Sequence, residues 1–148
     1  MPPCICFTNK DLIDMLRSSC VIILALLACS LCAAQGQGES AQPLYQVTEG
    51  NKVDAKTLEG WKTWRALACE RCHGAQQEGL VGPSLLESLK KLSPDAFHDL
   101  VMQGKIDKGM PNFAASDAMQ KNWQNLYAYL KGRSDGKIMP GRVYPADK

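Results

Sequence analysis

The distribution of its seven cysteines is the feature that most constrains how this chain folds. Five of them lie in the first 32 residues: Cys4, Cys6, Cys20, Cys29 and Cys32. The other two, Cys69 and Cys72, are three positions apart and are followed directly by His73. A small disulfide-stabilised protein spreads its cysteines along the chain, so this pattern does not indicate a disulfide framework. The two groups belong to segments with different roles.

The first segment resembles a sorting signal. Residues 21–34 are uncharged and apolar (VIILALLACSLCAA) and are shorter than the roughly twenty residues that a membrane-spanning helix needs. Arg17 precedes this stretch and small residues end it, as in a secretory signal peptide. We expect residues 1–34 to be removed, with Met15 as an alternative translation start. A second interpretation stays open, in which Cys29 is lipidated and tethers the protein to a membrane.

Either way, the rest of the chain is predicted to act outside the cytoplasm, in the periplasm. Its 148 residues are enough for one domain, and 17 Lys and Arg against 15 Asp and Glu give a net charge of only +2. This balance favours neither nucleic acid nor an anionic membrane surface as a partner. We divide the chain into an extended lead segment (residues 35–53), a compact domain (54–133) and a tail over the surface (134–148), and we expect a monomer.

Apolar spacing predicts an all-α domain of about four helices and no sheet. The first helix begins after Asp54 and runs straight into Cys69, while Gly104 and Gly132 end the third and the last helix. Polar residues are suited to cap three of the four helices at the N-terminus: Asp54, Ser93 and Ser116. The second helix is short and lies within residues 84–92.

Residues 69–73 read Cys-Glu-Arg-Cys-His, the C-x-x-C-H attachment sequence of a c-type haem. Two thiols at this spacing add to the two vinyl groups of the porphyrin, and the imidazole of His73 then lies under the iron. A structural zinc site needs four ligands, whereas the chain beyond residue 34 offers only one further histidine, His98. A thioredoxin-type motif would need a βαβ context, which the helical surroundings do not provide.

The second axial ligand is predicted to be Met110. It lies in the loop Lys108-Gly109-Met110-Pro111-Asn112, where Gly109 lets the backbone come close and Pro111 stiffens the chain. Met139, which is also followed by proline, is the rival, and an open or water-bound position is the remaining alternative. A thioether favours ferrous iron, so His/Met ligation implies a raised reduction potential and an iron that passes electrons.

These motifs resemble class I cytochromes c. The matching features are the residues 69–74, Gly82-Pro83, Gly109-Met110-Pro111 and the aromatic stretch 123–130. The resemblance implies about four helices wrapped around one covalently bound haem. It also implies that the first and last helices cross, with Gly60 and Trp64 facing Tyr127 and Leu130. It further implies that the carbonyl of Pro83 accepts a hydrogen bond from the N–H of the His73 imidazole.

A narrower resemblance suggests the partners. Residues 50–54, 60–69, 77–79 and 130–136 are similar to periplasmic cytochromes that accept electrons from alcohol or methanol dehydrogenases containing pyrroloquinoline quinone (PQQ). This resemblance implies a dehydrogenase as electron donor and another cytochrome or a terminal oxidase as acceptor. Lys105, Lys108 and Phe113 lie near the predicted ligand and are candidates for the contact with an acidic donor, although they are equally compatible with ordinary loop residues.

The sequence therefore favours an electron carrier that is not an enzyme. Two alternatives stay open. The first is a haem enzyme or gas-binding sensor, in which Met110 leaves the iron, although the chain offers only His98 as a distal acid or base. The second is a membrane-tethered, electron-carrying subunit of a larger complex, held through Cys29.

Overall fold

The structure is a computed structural model, and it describes residues 43–146. The predicted signal peptide, including Met15 and Cys29, lies outside the described residues. Of the predicted lead segment and tail, residues 43–53 and 134–146 are described.

The described residues form five α-helices: α1 (Ala55–Ala66), α2 (Glu70–His73), α3 (Leu85–Ser88), α4 (Pro94–Gln103) and α5 (Asp117–Ser134). The predicted all-α class is confirmed, and the additional helix, α2, is the single turn that holds the C-x-x-C-H motif. Two 3-10 turns cover Glu49–Asn51 and Ile106–Lys108.

A small sheet joins the two ends of the described chain, and here the prediction of no sheet was wrong. Its strands are β1 (Val47–Thr48), β2 (Lys52–Val53) and β3 (Tyr144–Pro145), with β2 in the middle. β1 is antiparallel to β2, and β3 is parallel to β2. Strands of two residues are too short to show an alternating pattern, so they could not be predicted from the sequence.

The three predicted N-caps are formed. In each case a side-chain oxygen of Asp54, Ser93 or Ser116 accepts a hydrogen bond from the backbone N–H three residues later. The donors are Thr57 (3.0 Å), Ala96 (3.2 Å) and Met119 (3.3 Å). These local bonds satisfy N–H groups that the first turn of a helix leaves without a partner.

Helices α1 and α5 cross at Gly60. A Cβ atom at this buried glycine would lie 1.9 Å from the backbone oxygen of Asn125 and 3.0 Å from the nitrogen of Leu126. The backbones can therefore approach this closely only because residue 60 has no side chain. The predicted crossing exists, but Gly60 meets Asn125 and Leu126, upstream of the Tyr127 and Leu130 that the resemblance suggested.

The hydrophobic core surrounds the second half of α5, whose residues from Leu126 to Leu130 are all buried. Helices α1, α3 and α4 all pack against α5. Trp64 from α1 and Phe97 and Val101 from α4 lie in the same core, each with at most 4% of its surface exposed. Because α5 is covered from several sides in this stretch, it has no polar face there. The sequence therefore shows only a weak helical period of apolar and polar residues.

The C-terminal tail belongs to this core, which corrects the expectation of a tail lying over the surface. Ile138 and Val143 are only 1% and 2% exposed. Helix α5 does not end at Gly132 as predicted but continues to Ser134. A Cβ at Gly132 would lie 2.6 Å from Cδ1 of Ile138, so this glycine makes room for the returning tail instead of ending the helix.

The surroundings of Gly60 and Gly132 predict different changes in stability when each glycine is replaced by alanine. We expect Gly60→Ala to destabilise the protein by about 3 kcal/mol, because the new methyl group meets rigid backbone. Gly132→Ala is the matched control, since its methyl group meets side-chain atoms of Ile138 and Tyr45, which can shift where backbone cannot, and alanine favours the helix by about 1 kcal/mol. Guanidinium unfolding of the haem-loaded protein, followed by circular dichroism, measures both. Equal losses for the two variants would contradict the close crossing.

Candidate haem site

Helix α1 ends before the C-x-x-C-H motif, so the prediction of a continuous helix into Cys69 is wrong. Ala68 has a φ angle of 51°, in the left-handed region. The N–H of Cys69 donates to the carbonyl of Trp64 (3.3 Å), and the N–H of Ala68 donates to that of Arg65 (3.1 Å). This pair of bonds is the Schellman ending of a helix, which normally has glycine at the position of Ala68. Because α1 ends here, the motif forms a separate helical turn, α2.

Both cysteines lie on this new turn. The N–H groups of Cys72 and His73 donate to the carbonyl of Cys69, at 3.2 and 3.0 Å. Cys69 is half-buried and Cys72 is exposed. Burial, helped by the neighbouring carboxylate of Glu70, raises the pKa of the Cys69 thiol to about 12. With this pKa the Cys69 thiol carries no charge at neutral pH.

The imidazole of His73 is held from one side. Its Nδ1 atom lies 2.9 Å from the carbonyl oxygen of Pro83. Because a carbonyl only accepts, Nδ1 must carry the proton, which leaves the lone pair of Nε2 free to bind a metal. The hydrogen-bond acceptor that the family resemblance implied for the imidazole is thus in place at Pro83.

The loop that carries Pro83 is fixed to the motif by backbone bonds. Gly79 donates to the carbonyl of His73 and Gly82 to that of Cys72, both at 2.8 Å. A Cβ at Gly82 would lie 2.9 Å from Cε1 of His73, so only glycine leaves room for the ring there. The arrangement fits a haem: two thiols on one turn, with a pre-oriented imidazole whose free nitrogen can serve as an axial ligand.

Met110 is fixed by a small bridge in the loop between α4 and α5. Its N–H and carbonyl pair with the carbonyl and N–H of Lys105, at 3.0 and 2.9 Å. Its side chain is half-buried and packs against the core. At Gly109 glycine supplies a φ angle of 79°, and a Cβ there would meet no other protein atom within 4 Å. The close backbone approach occurs at Gly104, where a Cβ would lie 2.6 Å from Pro111.

The other candidate ligands lie in different surroundings. Met139 in the tail is 62% exposed, whereas Met119 is a core residue with 1% exposure. Met102 is half-buried, and its sulfur accepts a hydrogen bond from the amide of Gln120 (3.6 Å). His98 is half-buried and packs against Trp123 in a tilted arrangement, with ring centroids 4.7 Å apart and 58° between the ring planes.

Sequence reasoning missed one polar cluster beside the motif. Arg133, near the end of α5, is only 6% exposed, and its guanidinium donates to the side chain of Gln77 (2.6 Å). In the sequence Arg133 looks like an ordinary cation at a helix C-terminus, where such residues are common and solvated. Nothing in the local pattern distinguishes it from the exposed Lys137.

Comparison with known proteins decides the family. Residues 55–130 match the protein family described as cytochrome C oxidase, cbb3-type, subunit III. The chain belongs to this family of c-type cytochromes. The match includes α1, the C-x-x-C-H turn, the Met110 loop and most of α5.

Individual relatives agree with this assignment. The cytochrome is 42% identical to cytochrome c-555 of Methylococcus capsulatus over 92 residues, which are 62% of this chain and 73% of that protein. It is 29% identical to cytochrome c-553I of Paracoccus denitrificans over 107 residues, or 68% of this chain and 47% of that one. The crystal structure of the c-type cytochrome XoxG from Methylobacterium extorquens AM1 superimposes with a TM-score of 0.63 at 31% identity, covering 70% and 67% of the two chains.

Several predictions about the cytochrome are therefore confirmed. It has the class I cytochrome c fold and carries covalently bound haem c, and it acts as a monohaem electron carrier and not as an enzyme. None of the helices between residues 43 and 146 is long and apolar enough to cross a membrane.

The strained residue before the motif gives a prediction about stability. We expect Ala68→Gly to stabilise the cytochrome by about 1 kcal/mol, because glycine adopts the left-handed conformation without a steric penalty. Ala66→Gly, two residues earlier and inside α1, is the control and should cost about 1 kcal/mol. Guanidinium unfolding of the haem-loaded variants measures both changes. A loss of stability in Ala68→Gly would show that the backbone is not strained there.

Proposed function

We propose that Cys69 and Cys72 form the two thioether bonds to the haem, and that His73 and Met110 are the axial ligands of its iron. We further propose that the protein is periplasmic. It accepts electrons one at a time from a PQQ-dependent alcohol dehydrogenase and passes them to the respiratory chain through another cytochrome or a terminal oxidase. The observation that carries the proposal is the hydrogen bond between Nδ1 of His73 and Pro83.

That hydrogen bond determines what His73 offers. It keeps the ring in one tautomer and one orientation, and an imidazole that donates a hydrogen bond from its non-ligating nitrogen is a stronger ligand. The bound haem supplies a one-electron ferric/ferrous couple. The chain attaches the haem through two sulfur atoms on one helical turn. The same turn carries the imidazole of His73, so the position of the ring relative to the cofactor is fixed.

Three features support Met110 over Met139 as the second ligand. The Lys105 bridge fixes the backbone of Met110 on both sides, and its side chain already faces apolar residues of the core. Met139 projects into solvent with 62% of its surface exposed. A ligand held in advance loses less conformational entropy when it binds, so the Met110 loop is the better presented donor of a thioether.

The same loop offers a surface for a partner. Ile106 is 65% exposed and lies between the exposed Lys105 and Lys108, and with the exposed Asp107 beside it the turn keeps one net positive charge. An apolar contact flanked by cations suits a short-lived complex with an acidic protein, in which charge guides the encounter and little area is buried. Phe113 is half-buried against the core and adds less to this surface than the sequence suggested.

The dehydrogenase as donor is supported by the sequence resemblance to cytochromes that serve PQQ-dependent enzymes, and the likeness to XoxG and cytochrome c-555 is compatible with it. The periplasmic location is supported by the predicted signal sequence in residues 1–34.

Replacing the two rival methionines tests the axial ligand. In Met110→Ala we expect the near-infrared band of thioether-ligated ferric haem to disappear, the reduction potential to fall and the reduced protein to bind carbon monoxide. Met139→Ala is the matched control and should keep the band, since its side chain is exposed. Absorption spectra of both variants measure this. A band that persists in Met110→Ala and disappears in Met139→Ala would assign the ligand to the tail.

Stopped-flow mixing of the oxidised cytochrome with a reduced PQQ-dependent alcohol dehydrogenase tests the donor. We expect reduction that slows with rising ionic strength, and a severalfold slower second-order rate for Lys105→Glu and Lys108→Glu at low salt. Lys121→Glu, an exposed change on α5, is the control and should leave the rate unchanged. Failure of the wild type to be reduced at a useful rate would remove this donor while leaving the electron carrier intact.

A further inference from the structure

Arg133 is a buried cation whose hydrogen-bond partners are all neutral. Its guanidinium donates to the side-chain oxygen of Gln77 (2.6 Å) and to the carbonyls of Ile138 (2.5 Å) and Gln76 (2.9 Å). Among residues 43–146, no carboxylate lies within ion-pair distance of it. Burial lowers the pKa of Arg133, yet a guanidinium keeps its proton at neutral pH because its ordinary pKa is so high. The protein therefore holds a positive charge that is shielded from water and has no direct ion-pair partner, with the carboxylate of Glu78 acting on it only from a distance.

Gln77 is positioned to bind the guanidinium of Arg133. It is only 1% exposed and has a φ angle of 62°, which is strained for any residue other than glycine. Its side chain accepts the bond from Arg133 and donates to the hydroxyl of Tyr129 (3.4 Å). Glycine would remove the backbone strain but also both side-chain bonds. A strained, buried residue with a fully engaged side chain indicates a functional constraint at this point.

This cluster lies beside the haem motif. Gln76 is three residues after His73, so their Cα atoms are at most about 11 Å apart along the chain. The carbonyl of Gln77 accepts hydrogen bonds from the N–H of Leu85 (2.9 Å) and the hydroxyl of Ser84 (3.3 Å). These bonds close the loop that carries Pro83. The charge of Arg133 is thus located at the base of the loop that orients the His73 imidazole.

We propose that the buried charge of Arg133 raises the reduction potential of the haem. The ferrous state carries one positive charge fewer than the ferric state, so a nearby fixed cation favours reduction. Inside the protein this effect is screened less than it would be for a surface charge. Glu78, the carboxylate whose charge acts on Arg133, is exposed and accepts a hydrogen bond from the N–H of Gln76, so water weakens its opposing effect. The inference rests on the proposed attachment at residues 69–73.

Three substitutions separate charge from geometry. Arg133→Gln removes the charge, Gln77→Glu neutralises it with a side chain of the same shape, and Arg133→Lys keeps it but loses the planar fork of donors. We expect the first two to shift the reduction equilibrium about three- to tenfold toward the oxidised form, where tenfold is 59 mV for one electron. Arg133→Lys should stay close to the wild type. Arg142→Gln, which removes an exposed cation, is the control.

Spectroelectrochemical titration measures the midpoint potential of each variant, and absorption spectra check that haem and axial ligands are retained. A shift in Arg133→Gln and Arg133→Lys without one in Gln77→Glu would overturn the proposal in favour of a purely geometric role. Unchanged potentials in all three would overturn it as well, while the ligation proposal would stand. If Arg133→Gln does not fold, Gln77→Glu and Arg133→Lys still decide whether the charge or the geometry of Arg133 sets the midpoint potential. Absence of the near-infrared thioether band in the wild type would instead contradict the ligation.

Discussion

The close crossing of α1 and α5 at Gly60 is the contact around which the other elements are arranged. Because residue 60 has no side chain, the backbone of α1 reaches that of α5 at Asn125. Trp64, one turn further along α1, then lies in the core together with Leu126 and Leu130. The end of α1 is fixed by this packing, and the C-x-x-C-H turn begins only three residues after it.

From that point, hydrogen bonds of the motif itself build the site. The carbonyls of Cys72 and His73 hold Gly82 and Gly79, and this loop returns Pro83 to the imidazole. Gln77 closes the same loop from the other side and joins it to Arg133 on α5. The last helix therefore contributes in two ways, through apolar packing on α1 and through a buried polar contact with the motif loop. Such a fully bonded polar cluster gives the loop one defined conformation.

The sequence predicted what depends on neighbouring residues. The N-caps at Asp54, Ser93 and Ser116 need only a side chain and an N–H three residues away, and all three are formed. Helix ends that depend on distant residues were predicted less well. Gly132 looked like a stop signal, yet it lies inside α5 because Ile138 from the tail occupies the space beside it. Ala68 ends α1 in a conformation that usually calls for glycine.

The order Cys69-Glu70-Arg71-Cys72-His73 by itself determined the class of cofactor, since the chemistry of thioether attachment requires these residue types at this spacing. Apolar spacing elsewhere in the chain indicated the helical class, and the loop around Met110 indicated the better of two methionines. Only the tertiary structure decided which glycines allow close contacts, how the tail joins the core, and that Arg133 is buried without a counter-ion. These features depend on residues far apart in the chain, and such residues meet only when the whole domain has folded.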